Sequence, residues 1–297
     1  MDWGSIRHIA VIAPSGPPER DLLEAGVAAA EADGVKVSLM PNIFKGGSMK
    51  YLSSDVAWRL DDLHRALNDA SVDLIMCARG GYGAVHLLDK IDYDLLRERD
   101  LPVVGLSDIT ALHLAMLSRN AGRPWAGSMA VRLKRLLSDP VASDYFSTLL
   151  RPDEELELAR ITRLKKVDHP VTALPIVANM AVLAAQCGSE FLPDFTDKIL
   201  ILEDIGESLY RLDRYLSQLR LNGIFDRVKA VLFGQFTDCA PQADILKLID
   251  QFTDVLPPLV GFGFPFGHDW PTTAVDQTRL MTIDADCVRI LPKPAVI

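Results

Sequence analysis

The chain has 297 residues, 49% of them hydrophobic, and a formal net charge of −9. That length holds one large domain or two ordinary ones with ample core. The acidic balance, with no Lys/Arg cluster, argues against a nucleic-acid partner, because phosphate binding needs a basic face. No apolar run is long enough to span a bilayer, and no basic stretch followed by a long apolar run opens the chain, so neither a membrane partner nor a signal peptide is expected. Cys77, Cys187, Cys239 and Cys287 lie far apart with no Cys-x-x-Cys pair, against a zinc ribbon or redox motif. Three of them sit in or beside apolar stretches and read as reduced core thiols, which fits a reducing cytoplasm.

His8 to Ala13 is a first strand, running into the loop Pro14-Ser15-Gly16-Pro17-Pro18. An alanine-rich helix follows from about Glu19 to Asp33, stopped by Gly34. Val35, Val37 and Leu39 alternate with polar residues as a second strand. Ser53 or Ser54 is positioned to cap the next helix, whose apolar stripe is Val56, Leu60, Leu63 and Leu67. Val72 to Cys77 is a third strand, ending at the turn Arg79-Gly80-Gly81-Tyr82-Gly83 before a short helix at Ala84 to Leu88. Leu101, Val103, Val104 and Leu106 make a fourth, buried strand, and Ile109, Leu112, Met116 and Leu117 fall at helical spacing after it. This β-α-β order predicts an α/β fold: a doubly wound parallel sheet of flavodoxin or Rossmann type, whose ligands bind beyond the carboxyl ends of the strands.

The pattern weakens from about Gly122 to Leu164, where only Arg132 to Leu137 reads as helical. The domain division falls here: an N-terminal α/β domain over 1–150, a linker over 151–164, and a smaller C-terminal α+β domain over 165–297. In that second domain Ala178 to Gln186 reads as a helix with Asn179 near its start. Lys198 to Leu202 is a strand running into Glu203 and Asp204, and Leu209, Leu212, Leu216 and Leu219 mark an amphipathic helix closed by Gly223. Ala230 to Phe233 is another strand, Ala243 to Val255 a helical stretch, Val260 to His268 a glycine-rich strand or loop, and Arg279 to Ile290 a hairpin.

Ser107 sits at a strand-to-helix junction. A serine there can expose its hydroxyl beside the unbonded amides of the first helical turn, where an oxyanion would be stabilised. On this stretch alone the ordinary reading is an N-cap, which serines at helix starts usually are. The glycine turn at 79–83 matches no nucleotide fingerprint, since His86 holds the last place of Gly-x-Gly-x-x-Gly. It is either a tight turn needing positive φ or a second backbone N–H directed at Ser107. A hydroxyl nucleophile needs an imidazole base and an acceptor that orients it. Of the six histidines, His64, His86 and His113 lie in helices, His8 opens a strand and His169 precedes Pro170, whereas His268 follows Gly267 in a loop suited to presenting a side chain. Glu203 ends a buried strand, where a carboxylate needs a partner. Neither histidine pairs at helical ligand spacing nor clustered thiols are present, so no metal and no cofactor is expected.

The segments IAVIAPSGP at 9–17, CARGGYGAVHLLDKIDYD at 77–94, GLSDITAL at 105–112, ILILEDIGESLYRLDRYLSQLRLNGIFDRV at 199–228, GQFTDC at 234–239 and GFPFGH at 263–268, in this order, resemble the LD-carboxypeptidases, a family of serine peptidases. The resemblance implies Ser107 as nucleophile, Glu203 as acid and His268 as base. It also implies an oxyanion hole from the backbone N–H of Asp108 and of a glycine in the 79–83 turn, taken as Gly81. It further implies a murein tetrapeptide substrate with D-alanine as leaving group, a cytoplasmic setting in cell-wall recycling, and a homodimer. It favours Glu203 over its neighbour as the partner of His268, with Asp204 left to cap the helix beginning near Glu207. Val177-Ala178-Asn179-Met180 and the segment after His268 depart from the family pattern, which bears on pocket shape more than on chemistry. Two rivals stand beside this reading. One is a microcin-resistance hydrolase of the same family acting on a peptidyl or aminoacyl nucleotide, with Trp125 and Trp270 as candidate platforms for the base. The other is a non-catalytic ligand-binding protein.

Overall fold

The computed structural model describes residues 1–293. Contacts divide the chain after Arg151 into two units. The first alternates strands and helices: β1 (His8–Ile12), α1 (Arg20–Ala32), β2 (Lys36–Leu39), α2 (Val56–Asn68), β3 (Leu74–Cys77), a 3-10 turn (Ala84–Lys90), α3 (Tyr93–Arg99), β4 (Pro102–Gly105), a 3-10 turn (Ser107–Ile109), α4 (Thr110–Arg119), β5 (Arg123–Ala126), α5 (Leu133–Ser138) and α6 (Pro140–Ser147). Its strands lie in the order β5-β4-β3-β1-β2, every pair parallel. Every residue of β1, β3 and β4 is buried, as a sheet covered by helices on both faces requires. The winding reverses between β1 and β3, so the loops leaving their carboxyl ends meet at the switch point, where Gly16 N–H donates to Gly80 O at 3.1 Å.

The second unit contains β6 (Leu156–Arg160), β7 (Thr162–Lys165), β8 (Val171–Ala173), β9 (Pro175–Asn179), α7 (Met180–Gln186), β10 (Ile199–Ile205), α8 (Leu209–Leu221), β11 (Ala230–Thr237), α9 (Gln242–Gln251), β12 (Leu259–Phe262), β13 (Val275–Asp276), β14 (Met281–Asp284) and β15 (Cys287–Ile290). One sheet runs β7-β12-β11-β10-β9, with β9 to β12 parallel and β7 antiparallel at its edge. A second, antiparallel sheet runs β6-β15-β14-β8. The architecture is thus mixed α/β with parallel-rich sheets in two domains.

Three local expectations are corrected. The stretch 151–164 is not a linker, because β6 and most of β7 fall within it and pair into the second unit's two sheets. Both are edge strands, whose solvent-facing charges blur the alternation that marks a strand. Neither Ser53 nor Ser54 caps α2; Asp55 holds that position, and the Ser53 hydroxyl donates to Ala13 O instead. Asp204 does not serve α8, whose N-cap is Ser208. Its Oδ2 accepts from Ala181 N–H in the first turn of α7.

Candidate functional site: a strained serine and a buried histidine–carboxylate pair

The first unit carries the serine. Ser107 leaves β4 with φ 65, a left-handed conformation that non-glycine residues adopt at a cost of about 1 kcal/mol. The N-cap of the 3-10 turn is Leu106, and Ser107 is the first residue within the turn, so the alternative of a simple N-cap is not what the structure shows. The glycine turn after β3 lies directly against it. A Cβ built on Gly80 would stand 2.8 Å from Ser107 Cβ and 3.0 Å from its Oγ, so only glycine permits this approach. Gly81 follows with φ 113. Neither the Gly81 nor the Asp108 N–H donates a hydrogen bond among the described residues.

The second unit carries the pair. Glu203 lies on β10 and is fully buried; its Oε2 accepts from His268 Nδ1 at 2.8 Å. A carboxylate only accepts, so Nδ1 carries the proton and the basic lone pair is on Nε2. Glu203 Oε1 accepts from Asn179 Nδ2 at 3.2 Å, and the same nitrogen reaches Asp204 Oδ1 at 2.9 Å. Asn179 also caps α7, its side chain accepting from Val182 N–H. Burial pushes the Asp204 carboxyl up to about 7; bonds from Ile205, Asn179 and Ala181 oppose this and the nearby Glu203 adds to it.

The loop bearing His268 is tied to β11. Gln235 N–H donates to Phe266 O at 2.9 Å, and Gly263 N–H to Phe233 O at 2.9 Å. Gly267 N–H donates to Thr272 Oγ1 at 3.1 Å. Gly267 has φ 149, and a Cβ there would fall 2.7 Å from Gln235 Cβ and 3.3 Å from Glu203 Oε2, so the backbone can seat itself on the carboxylate only as glycine.

The other histidines are engaged elsewhere or exposed. His8 lies between Ser71 and Ser38. His64 accepts from Asp92 N–H, His86 packs on Tyr82, and His169 is exposed. His113 bonds Val103 O, and burial pushes it down to about 4, so it is neutral. Trp125 is buried in β5 and offers no open face to a base. Among the described residues no three His, Cys, Asp or Glu side chains come together as a metal-ligand set, and no helix is long and apolar enough to cross a membrane. Sequence reasoning did not identify the roles of Asn179, Gly80 and Gly267 in holding these groups. Only the departure at 177–180 and the glycine content of the two turns pointed near them.

The two-domain α/β chain belongs to the LD-carboxypeptidase family: the family's N-terminal domain matches residues 9–125 and its C-terminal domain residues 174–281. It is therefore an enzyme of a carboxypeptidase family. Among its relatives is the murein tetrapeptide carboxypeptidase of Pseudomonas aeruginosa, 31% identical over 92% of this chain and 94% of that one. The fold is similar to that of muramoyltetrapeptide carboxypeptidase from Oxalobacter formigenes, with TM-score 0.84, 23% identity and coverage of 96% of this chain and 100% of that one. It is also similar to an MccF-like protein from Bacillus anthracis, with TM-score 0.85, 24% identity and coverage of 99% and 98%.

Proposed function

We propose that the chain is a serine-type LD-carboxypeptidase that releases the terminal D-alanine of murein tetrapeptides, with Ser107, His268 and Glu203 as its triad. The observation that carries the reading is the buried Glu203–His268 pair, which directs the imidazole's basic nitrogen away from the carboxylate. The strained exit of Ser107 beside two undirected backbone donors supports the same chemistry. Ser107 Oγ attacks the carbonyl of the L-centre while His268 Nε2 takes its proton. The oxyanion receives hydrogen bonds from the Gly81 and Asp108 N–H groups. As the C–N bond breaks, His268 returns the proton to the departing amine of D-alanine. Water then adds to the acyl-enzyme by the same route, freeing the shortened peptide. Glu203 stabilises the imidazolium at both stages.

The substrate class is supported by the name of the Pseudomonas aeruginosa relative. A cytoplasmic role in wall recycling fits the four free thiols, a state common in reducing compartments. Assembly as a homodimer belongs to the same reading. The test is release of D-alanine from a defined murein tetrapeptide by the purified chain and by Ser107→Ala. Turnover should fall on the order of 10⁶-fold in the variant. More than a few per cent residual activity would remove Ser107 from the mechanism. Cleavage of an aminoacyl-adenylate analogue in preference to the tetrapeptide would replace the substrate class with a nucleotide conjugate.

A further inference from the structure

Two buried charged side chains of the first unit, the Asp108 carboxylate and the Arg59 guanidinium, have no part in the chemistry above, which uses only the Asp108 backbone. Asp108 is 4% exposed and Arg59 2% exposed. Both attach the glycine turn to its surroundings. Asp108 Oδ2 accepts from the Ala84 N–H at 2.9 Å and from Ser15 Oγ at 2.6 Å. Arg59 Nη1 donates to Gly83 O at 2.8 Å and to Pro14 O at 2.6 Å. Each charge thus holds both the far end of the 79–83 turn and the loop leaving β1. The Gly16–Gly80 bond is a third tie between the same two segments.

Burial draws the Arg59 guanidinium down from its ordinary value, and the Asp108 carboxylate opposes that loss most. The Asp108 carboxylate therefore favours the buried guanidinium, with Asp55 adding to it. The turn itself has three glycines and few side chains with which to set its own geometry. A donor displaced by about 1 Å from a developing charge can cost on the order of 10²-fold in rate.

We propose that Asp108 and Arg59 are positioning residues: by gripping Gly83, Ala84, Pro14 and Ser15 they hold the glycine turn on Ser107, so that Gly81 N–H meets the oxyanion. This rests on the proposed role of Ser107. One residue then serves both donors, Asp108 supplying its own N–H and, through its carboxylate, setting the other.

The test compares Asp108→Asn, Ser15→Ala and Ser107→Ala with the parent chain. It measures kcat and KM for the tetrapeptide, affinity for the product tripeptide, and affinity for a peptide boronic acid, which mimics the tetrahedral anion. Asp108→Asn should lower kcat roughly 10- to 100-fold with KM within about threefold. Boronate affinity should fall by a similar factor and product affinity should hold. Ser15→Ala, which removes one of the two donors to the same oxygen, should move the same quantities less. If Asp108→Asn does not fold, Ser15→Ala decides by the same criteria. A folded Asp108→Asn with parental kcat, or one whose kcat falls while boronate affinity stays, overturns the proposal provided Ser107→Ala is dead. Turnover by Ser107→Ala sinks the nucleophile reading and this one with it.

Discussion

Replacing Glu203 with glutamine tests the histidine–carboxylate pair most directly, because the two side chains differ by one atom. The carboxylate is fully buried and accepts at both oxygens, from His268 Nδ1 at 2.8 Å and from Asn179 Nδ2 at 3.2 Å. An amide has one acceptor and one donor end. With its oxygen toward His268, its NH2 faces the Asn179 NH2, and a buried donor goes unsatisfied at about 1–3 kcal/mol. With its NH2 toward His268, Nδ1 must accept, the ring proton moves to Nε2, and the base is lost. Either orientation removes the charge that stabilises the imidazolium. We expect kcat to fall roughly 10³- to 10⁴-fold, about 4–5.5 kcal/mol of barrier, with KM within a few-fold. D-alanine release gives the rate, and ¹⁵N imidazole shifts of His268 report the tautomer. A folded Glu203→Gln within tenfold of parental kcat would refute the argument.

Asp204→Asn should instead affect stability, and in a pH-dependent way. A carboxyl moved from 3.8 to about 7 on folding is most favourable below its unfolded value, and that contribution is lost as pH rises to about 7. The full effect is about 4 kcal/mol at most. Urea melts at pH 5 and pH 8 should therefore show the parent losing ground relative to the variant as pH rises, with turnover within tenfold; a pH-independent difference would refute the burial argument. Gly80→Ala should place a methyl 2.8 Å from Ser107 Cβ and force the turn away. A fall in kcat of about 10²-fold or more, at a stability cost of about 1–3 kcal/mol, is the expected result, and parental kcat in a folded variant would contradict the close approach.

The strands and helices around Ser107 were legible in the sequence because their signals are local. The apolar run before Gly105, the helical spacing after Ile109 and the three glycines after Cys77 each state their geometry within a dozen residues. Where ends of parallel strands carry loops with serine and glycine, the doubly wound order alone brings those loops to one edge. Periodicity failed at β6 and β7, whose partners β15 and β12 lie roughly a hundred residues away and whose exposure at sheet edges leaves no clean alternation.

The two adjacent acids mark where local reasoning stops. Ile199, Leu200, Ile201 and Leu202 are buried on both faces, so the sequence assigns no inward side to Glu203 or Asp204, and both prove buried. That β10 is a strand ending in carboxylates was legible in the sequence itself, through a short, isoleucine-rich hydrophobic run that reads as a sheet interior. Which carboxylate meets an imidazole was decided by the tertiary structure. Gly234 and Gly267 let the 263–267 loop lie down on β11, bringing His268 to Glu203 across 65 positions of chain, while Asp204 turns to the start of α7. The physical reason is that a side chain's partner is fixed by packing between distant segments, and no periodicity within either segment encodes it.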